Sequence, residues 1–194
     1  MKRSHFLFGV TAFILIIAAA GPALAQTTYQ LDPVHSQVVF KVKHFGVSNN
    51  YGRFNKVEGM VKWDAALLQN SAIEITIATE SVDTGAEKRD QHLRSNDFFN
   101  AKQFPVITFK SKSISSKGGN MYSVTGDLML HGVTKEITAD FEFIGEIETR
   151  RGRRIGGEAM FTIKRSEFGM NFMIDNGTVG DDVTVMVNVE ASGS

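Results

Sequence analysis

Apolar and polar residues alternate with a period of two along most of the chain, and this pattern predicts β-strands with one buried face. Eight such runs recur between Val38 and Val189, separated by turn residues. They are centred on residues 38–42, 57–63, 73–77, 107–109, 122–130, 137–143, 155–163 and 183–189. The short connections, such as Gly118-Gly119 and His131-Gly132, suit antiparallel neighbours. We therefore predict an all-β fold, an antiparallel meander of about eight strands that hides its edges by closing into a barrel.

The alternation stops in one interval, between Asp83 and Gln103. Thr84 and Glu87 fit the Thr-x-x-Glu pattern of a capping box, which predicts one short helix that ends near Arg94. The following loop, residues 96–103, is expected to cross an end of the barrel. Residues 84–103 are thus the predicted cap.

Residues 1–25 have the features of a cleaved signal peptide. Lys2 and Arg3 give a positive start, an apolar stretch follows, and Ala23-Leu24-Ala25 is a small-x-small cleavage site. A membrane anchor is the alternative, but the stretch is shorter than the ~20 residues that a spanning helix needs. We expect cleavage before Gln26, a single domain over residues 26–194, and no membrane-spanning segment after cleavage.

Charge and cysteine content narrow the function further. The chain has 21 basic and 21 acidic residues, and removal of Lys2 and Arg3 leaves 19 against 21, a net charge of −2. This balance argues against binding to nucleic acid. The basic cluster at residues 150–154 is interpreted as a solvated hairpin tip, with contact to an anionic surface as the alternative. The absence of cysteine excludes disulfides and a lipoprotein anchor, so we expect a protein free in the periplasm, or secreted if the cell has one membrane.

The interior of the predicted barrel has two possible states. A barrel of about eight strands is either filled by its own side chains or holds one slender ligand. Of 15 phenylalanines, three lie in the predicted leader, and 12 remain. Phe98, Phe99 and Phe104 lie outside the strands, where they could cap an apolar opening or simply plug the core.

Short motifs between Leu31 and Asp181 carry a resemblance to a known family. They are LDPVHS at 31–36, VKHFG at 42–46, GRF at 52–54, RDQHL at 89–93, DFF at 97–99, LHGVTK at 130–135, RSEFGM at 165–170 and GD at 180–181. In this order they resemble the YceI-like family of periplasmic polyisoprenoid-binding proteins, which have a lipocalin-like β-barrel. The resemblance implies a long isoprenoid, of polyprenyl or isoprenoid-quinone type, held in an apolar pocket for carriage, storage or sequestration. No covalent cofactor is implied, and protein partners are not identified.

The residues expected to bind this lipid follow from the hydrophobic face of each run. The predicted pocket lining is Phe40, Val42, Ile75, Ile77, Phe109, Leu128, Leu130, Phe141, Phe143, Phe161, Val185 and Val187. The predicted rim, where a head group would lie, is Arg89, His92, Arg94, Phe98, Phe99, Phe168, Met170 and Phe172. A long ligand is favoured because each buried methylene contributes ~0.8 kcal/mol, whereas association costs roughly 4 to 15 kcal/mol.

Four histidines, His35, His44, His92 and His131, lie inside these motifs. They lack close pairs and cysteine partners, so we predict no metal site. No Gly-x-Ser-x-Gly or His-Glu-x-x-His pattern accompanies them, so we predict no catalytic residues and no enzyme.

We predict structural roles for His44 and for the polar residues of the predicted cap. His44 should find a hydrogen-bond partner in Asp90, Asp97 or a backbone carbonyl, because a buried ring nitrogen without one costs ~1 to 3 kcal/mol. Arg89 is expected to pair with Asp90. In the alternative, Arg89 joins His92 and Arg94 around the polar head of the ligand, since a guanidinium suits a pyrophosphate.

Two other functions stay open at this point. One is an enzyme that modifies a lipid or a quinone with the histidines. The other is a packed barrel without ligand that acts through its surface, for example in a stress response.

Overall fold

A computed structural model describes residues 27–193, within which eleven β-segments form one antiparallel sheet. The segments are β1 (Thr27–Leu31), β2 (Gln37–His44), β3 (Ser48–Phe54), β4 (Val57–Trp63), β5 (Ala72–Ala78), β6 (Val82–Asp83), β7 (Val106–Gly118), β8 (Met121–Leu130), β9 (Val133–Thr149), β10 (Gly152–Lys164) and β11 (Val179–Gly193). One α-helix, α1 (Glu87–Arg94), and 3₁₀ helices at Leu68–Asn70, Thr79–Ser81 and Arg165–Phe168 complete this part of the chain. Neither α1 nor any other helix within 27–193 is long and apolar enough to cross a membrane.

The segments combine into eight strands that follow one another around a closed barrel. Three of the eight strands are interrupted by a short irregular stretch and consist of two segments each, namely β1/β2, β3/β4 and β5/β6. The pairing shows this, because β11 pairs with both β1 and β2, while β3 pairs with β6 and β4 pairs with β5. The ring closes where β1 meets β11, with Tyr29 opposite Gly193 and Leu31 opposite Ala191. The predicted antiparallel barrel of about eight strands is confirmed.

Each predicted run coincides with one of these eight strands, but β1, β3 and β6 were not predicted. In β3 the inward positions are Asn50, Gly52 and Phe54, so the face lacks the apolar alternation that marks a strand. Gly52 is required there by its neighbour, since a Cβ at this position would lie 2.3 Å from Cζ of Phe40. Close packing between β2 and β3 thus requires a glycine on the inward face of β3. This is one reason why β3 lacks the apolar alternation by which the other strands were predicted.

The start of α1 differs from the prediction. Its N-cap is Ala86, which makes no side-chain capping bond, so the Thr84–Glu87 capping box is wrong. Thr84 instead donates its N–H and its hydroxyl to Oδ1 of Asp90, at 2.9 and 2.5 Å. Asp90 is buried near the C-terminal end of strand β6, whereas Glu87 is exposed. The buried carboxylate therefore accepts the N–H of Thr84 that the capping box assigned to Glu87. The Thr84 hydroxyl, which the box would use to accept the N–H of Glu87, donates to Asp90 instead.

Arg89 also acts differently from the prediction. Its Nε donates to the hydroxyl of Thr84 at 2.7 Å and its Nη2 to the carbonyl of Thr84 at 2.8 Å. Asp90 and Arg89 both bind Thr84 rather than each other, so the expected Arg89–Asp90 pair is wrong. Between them they fix the entry of the chain into α1.

The cap is fastened to the barrel by Arg94. Its Nε donates to the carbonyl of Glu80 at 2.9 Å and its Nη2 to that of Val82 at 3.1 Å. The loop that follows α1 folds back on the helix, with N–H donation from Phe99 to Leu93 and from Ala101 to Arg94. As predicted, this loop crosses an end of the barrel.

Candidate functional site

The barrel encloses a cavity of about 480 Å³ whose wall is built from the inward faces of the strands and from the cap. All twelve residues of the predicted pocket lie on this wall: Phe40, Val42, Ile75, Ile77, Phe109, Leu128, Leu130, Phe141, Phe143, Phe161, Val185 and Val187. The predicted inward parity is therefore confirmed for each of their strands. Contact of these residues with a ligand stays a prediction.

The cavity is long as well as apolar. Its volume is within the range of roughly 300 to 1,000 Å³ that small-molecule sites occupy. Alternate residues of β11 line it from Val183 to Ala191, a span of roughly 26 Å along a strand. With strands tilted by about 40° to the axis, this corresponds to about 20 Å of barrel length.

Further residues on the wall extend the same alternation. They are Val38, Val61, Trp63, Ile73, Ile107, Val124, Ile137, Ala139, Ile155, Ala159, Ile163, Val183, Val189 and Ala191. Most of them belong to the runs that predicted the strands, so continuing each run to its ends would have found them. Small side chains at Ala139 and Ala159 help to leave the space unfilled.

Aromatic rings occupy one end of the cavity. The ring of Trp63 stacks on Phe143, with centroids 5.1 Å apart and planes 6° apart, and it meets Tyr122 and Phe141 at 4.9 and 5.9 Å. This end carries the hairpins at 118–121 and 149–152, and we call it the closed end.

The opposite end is where the cavity reaches the surface. Within residues 27–193, the exposed side chains on the cavity wall are Tyr51, Arg89, His92 and Met173. They come from β3, α1 and the segment between β10 and β11, which meet at this end. We call this opening the mouth.

The predicted rim residues divide into two groups. Arg89, His92, Phe98, Phe99 and Met170 lie on the cavity wall, as predicted. Arg94, Phe168 and Phe172 do not line it. Arg94 turns to the backbone carbonyls of Glu80 and Val82, which precede the cap, and Phe168 is buried. Phe172 packs behind the wall against His92 and Phe98, with ring centroids at 5.3 and 5.4 Å.

Two of the four histidines line the cavity. Nε2 of His92 lies 2.8 Å from Oδ2 of Asp97, and the ring packs edge-on against Phe98 and Phe172. His44 packs against Phe45, with centroids 4.5 Å apart. Within residues 27–193 the ring of His44 makes none of the expected bonds, whether to Asp90, to Asp97 or to a backbone carbonyl. That prediction is wrong because it assumed a buried ring, whereas His44 is only half-buried.

His131 lies outside the cavity wall, in the turn between β8 and β9. Its Nδ1 donates to the carbonyl of Phe168 at 2.9 Å, and its ring meets Phe104 at 4.6 Å. Its Nε2 is buried without a partner in the described part of the protein. The ring therefore connects the cap loop to the segment after β10, which is a structural role.

His35 lies at the seam where β1 meets β11, with its Nδ1 2.9 Å from Oδ2 of Asp32. Together with Glu190 these two residues offer ligand atoms within 4.8 Å of one another. However, Nη1 of Arg154 binds both Asp32 and Glu190, so a guanidinium already supplies positive charge to the carboxylates. The hydrogen bond to His35 lowers the pKa of Asp32 to about 2, and the same bond raises the pKa of His35. We interpret the group as an ion-pair network that closes the seam.

Arg165 is the charged residue that the sequence analysis missed. It is only 4% exposed, yet it lies on the cavity wall near the mouth. Its guanidinium donates to the carbonyls of Met170, Phe172, Val179 and Gly180 at 2.7 to 2.9 Å. Burial lowers its pKa, and the carboxylate of Asp181 opposes that shift. Its place in the RSEFGM motif was the available signal.

The arrangement suits an apolar ligand with one polar end. Aliphatic and aromatic side chains surround the length of the cavity, and Arg89 and His92 stand at its mouth. Such a site can hold a hydrocarbon chain by desolvation without directed bonds along its length.

Comparison with known proteins agrees with this architecture. A family model described as YceI-like domain matches residues 29–191. Protein YceI of Escherichia coli O157:H7 is 38% identical over 193 residues, which cover 98% of this chain and 97% of that protein.

Solved structures show the same fold. The crystal structure of Burkholderia cenocepacia BcnA has a TM-score of 0.73 at 28% identity, and the match covers 84% of this chain and 99% of that chain. A polyisoprenoid binding domain from Saccharophagus degradans matches in fold with a TM-score of 0.66 at 17% identity, over 86% of this chain and 98% of that one. On the family match and the identity to YceI, the chain belongs to the YceI-like family.

Proposed function

We propose that this protein is exported to the periplasm and holds one long-chain isoprenoid, of polyprenyl or isoprenoid-quinone type, for carriage, storage or sequestration. The observation that carries the proposal is the cavity of about 480 Å³, lined by aliphatic and aromatic side chains along the barrel. A barrel whose function was confined to its outer surface would need no such space, since interiors otherwise pack to the density of organic crystals.

The energetics of association favour a long tail over a small ligand. Burial of a methylene contributes ~0.8 kcal/mol, while association costs roughly 4 to 15 kcal/mol. A short tail barely balances this cost. A chain that extends along about 20 Å of barrel can bind with useful affinity even without hydrogen bonds.

Two comparisons support the class of ligand. The chain belongs to the YceI-like family, and its fold is shared with a domain described as polyisoprenoid binding. The features of residues 1–25 support export, and the absence of cysteine supports a protein that is not anchored as a lipoprotein.

The cavity wall supports binding rather than catalysis. His92, the histidine with a carboxylate partner on this wall, bonds Asp97, and no serine or threonine hydroxyl within 27–193 bonds its ring. A nucleophile within hydrogen-bond reach of a base is the usual mark of covalent catalysis. We therefore propose that the protein acts on its ligand by holding it.

Trp63 provides a direct test, because the chain has one tryptophan and it lies on the cavity wall. Titration with a polyprenyl phosphate or an isoprenoid quinone should change its fluorescence saturably, with strong quenching by the quinone. Ala159→Phe places a ring inside the cavity and should abolish the response. Met160→Phe, which adds a similar ring on the outer face of the same strand, should leave it unchanged. Equal titrations for both variants would contradict the proposal.

Export has its own test. Protein recovered from the periplasmic fraction of its host should begin at Gln26. Recovery with residues 1–25 intact in the cytoplasmic fraction would overturn this part of the proposal.

A further inference from the structure

The mouth carries apolar side chains that are exposed to water. Phe45 is 60% exposed and Val47 is 86% exposed, in the turn between β2 and β3. Met173, between β10 and β11, is 37% exposed and also lines the cavity. Exposed apolar residues scattered singly need no explanation, but a group at the opening of an apolar cavity does.

These side chains belong to one surface. The N–H of Phe45 donates to the carbonyl of Thr178 at 2.9 Å, and the N–H of Val179 donates to the carbonyl of Met173 at 3.1 Å. His44 pairs with Val179 across β2 and β11. The turn at 45–47 and the segment at 173–178 are thus joined at the edge of the mouth, and we call Phe45, Val47 and Met173 the apolar edge.

The backbone holds two of the three in an unusual conformation. Phe45 and Met173 have φ angles of 49° and 59°, in the left-handed region that bulky side chains rarely adopt. Such strain persists only where the surrounding structure enforces it, and it concentrates at functional sites. Folding alone would favour glycine or asparagine at these two positions. The strained backbone instead carries large apolar side chains that are exposed to water.

We propose that the apolar edge docks on the surface of a lipid bilayer, so that the mouth opens directly onto the membrane. The proposal rests on the proposed function, because a long isoprenoid that moved between the cavity and a bilayer through water would expose its whole tail. Continuity between the apolar edge and the cavity wall, through Met173, gives the tail a path that stays desolvated.

The charges around the mouth indicate the kind of bilayer contact. Exposed charged residues of the segments at the mouth are of both signs: Lys43, Lys88, Arg89 and Lys102 are basic, and Glu87, Glu167 and Asp175 are acidic. Without a basic patch, attraction to anionic lipids contributes little. Docking should therefore depend on the insertion of apolar side chains into the bilayer, and it should be insensitive to salt. With only three such side chains, it should be weak and reversible.

The test is flotation of the mature protein with vesicles of phosphatidylcholine at low and high salt. The unmodified protein should float with the vesicles at both salt concentrations. A triple variant, Phe45→Asn, Val47→Thr and Met173→Asn, should lose binding by about tenfold or more. Asparagine tolerates the left-handed backbone and threonine has the shape of valine, so the fold should survive. Ile147→Asn removes an equally exposed apolar side chain at the closed end and should float like the unmodified protein.

A second measurement separates docking from carriage. The rate of quinone transfer from the loaded protein to acceptor vesicles should rise with vesicle concentration for the unmodified protein and for Ile147→Asn, but not for the triple variant. Because Met173 lines the cavity, the control for binding is the double variant Phe45→Asn, Val47→Thr, which keeps Met173. In vesicle-free solution this double variant, Ile147→Asn and the unmodified protein should bind the quinone equally, as followed by Trp63 fluorescence, while transfer from the double variant should depend less on vesicle concentration.

Three results would overturn the docking proposal. They are unchanged flotation of the triple variant, no flotation of the unmodified protein, and flotation that requires phosphatidylglycerol and disappears at high salt. If binding of isoprenoids in solution is intact in such a case, the proposed function stands without it. Flotation without any isoprenoid binding would instead contradict the proposed function and leave docking supported.

Discussion

At the scale of single residues, Arg165 shows how a buried charge organises the mouth. Its guanidinium bonds carbonyls on both sides of the segment between β10 and β11, which carries Met173. The bond to Met170 is buried and the bonds to Phe172, Val179 and Gly180 are part-buried, so water can replace the lost donor only in part. Arg165 is therefore a positioning residue for the mouth, although it also lies on the cavity wall.

Replacement of Arg165 should be strongly destabilising. Arg165→Met leaves one buried and three part-buried carbonyls without this donor, which should cost about 3 kcal/mol of the free energy of unfolding. Arg165→Lys keeps the charge but cannot match the geometry of four bonds, and it should fall between Met and the unmodified protein. Urea denaturation measures both. Arg150→Met, at the exposed 149–152 hairpin, should change stability by less than about 0.5 kcal/mol, and an equal loss there would contradict this role for Arg165.

The pair of Asp32 and His35 makes a second prediction at this scale, a dependence of stability on pH. His35 has a raised pKa in the folded state, so its contribution is complete below its unfolded value of 6.5 and is lost as pH rises through the folded pKa. Asp32 has a pKa lowered from 3.8 to about 2, so its contribution is complete above 3.8 and is lost as pH falls towards 2. The pair therefore stabilises the seam most between pH 3.8 and 6.5.

Thermal unfolding between about pH 5 and about pH 8 measures the effect. The Tm of the unmodified protein should fall over this range by more than that of His35→Gln. The difference should be small, because the side chain of His35 is 57% exposed and solvent screens the pair. Identical slopes for the two proteins would show that the seam does not depend on protonated His35.

At this scale the sequence predicted apolar positions well and polar partners poorly. The alternation of apolar and polar residues correctly predicted that Phe40 and Leu128 line the interior of the barrel. The partners of His44, Arg89 and Asp90 depend on how the cap sits on the barrel, which periodicity does not encode. The capping pattern of Thr84 and Glu87 failed for the same reason, since a buried carboxylate three residues further on competed for Thr84.

At the scale of elements, strand β3 is held in the barrel by close packing rather than by its own hydrophobicity. Phe40 of β2 lies over Gly52 of β3, and its ring also meets Phe54 and Phe99, at 5.7 and 6.2 Å. One ring thus connects two strands with the cap loop. This explains why a strand of low apolar content has a fixed register.

Gly52→Ala should disturb this junction. The added Cβ would meet three ring carbons of Phe40 at 2.3 to 2.9 Å, so the ring must move and the packing beneath the cap is lost. We expect a loss of roughly 1 to 3 kcal/mol, measured by urea denaturation. Gly145→Ala is the matched control, because nothing lies within 4 Å of its Cβ position. A loss in Gly145→Ala as large as in Gly52→Ala would contradict the packing argument.

The elements that the sequence did predict are those with one fully apolar face. Strands β7 to β11, together with β2, β4 and β5, have inward alternation over several residues. β1 and β6 are short, with five and two residues, and β3 has polar or glycine residues at inward positions. Pairing with neighbours, rather than an intrinsic pattern, places these three in the sheet.

At the scale of the whole molecule, closure and the cavity follow from different causes. Closure was predictable, because eight antiparallel strands in a meander leave edges that only a ring removes. The cavity was not predictable, because it depends on how the summed volume of all inward side chains compares with the volume that a barrel of this diameter encloses. Ala159, which pairs with Phe141, and Ala139, which pairs with Val124, leave part of this space. An alternation of apolar residues alone does not distinguish alanine from phenylalanine.

The central claim is that this interior holds a long lipid, and native mass spectrometry tests it most directly. Protein purified from its native host in a detergent-free buffer should show a complex heavier than the polypeptide by the mass of one isoprenoid. Ala159→Phe prepared in parallel should show the polypeptide alone, and Met160→Phe should retain the complex. Unmodified protein that gives only the polypeptide mass, under conditions in which other lipid complexes survive, would contradict the account.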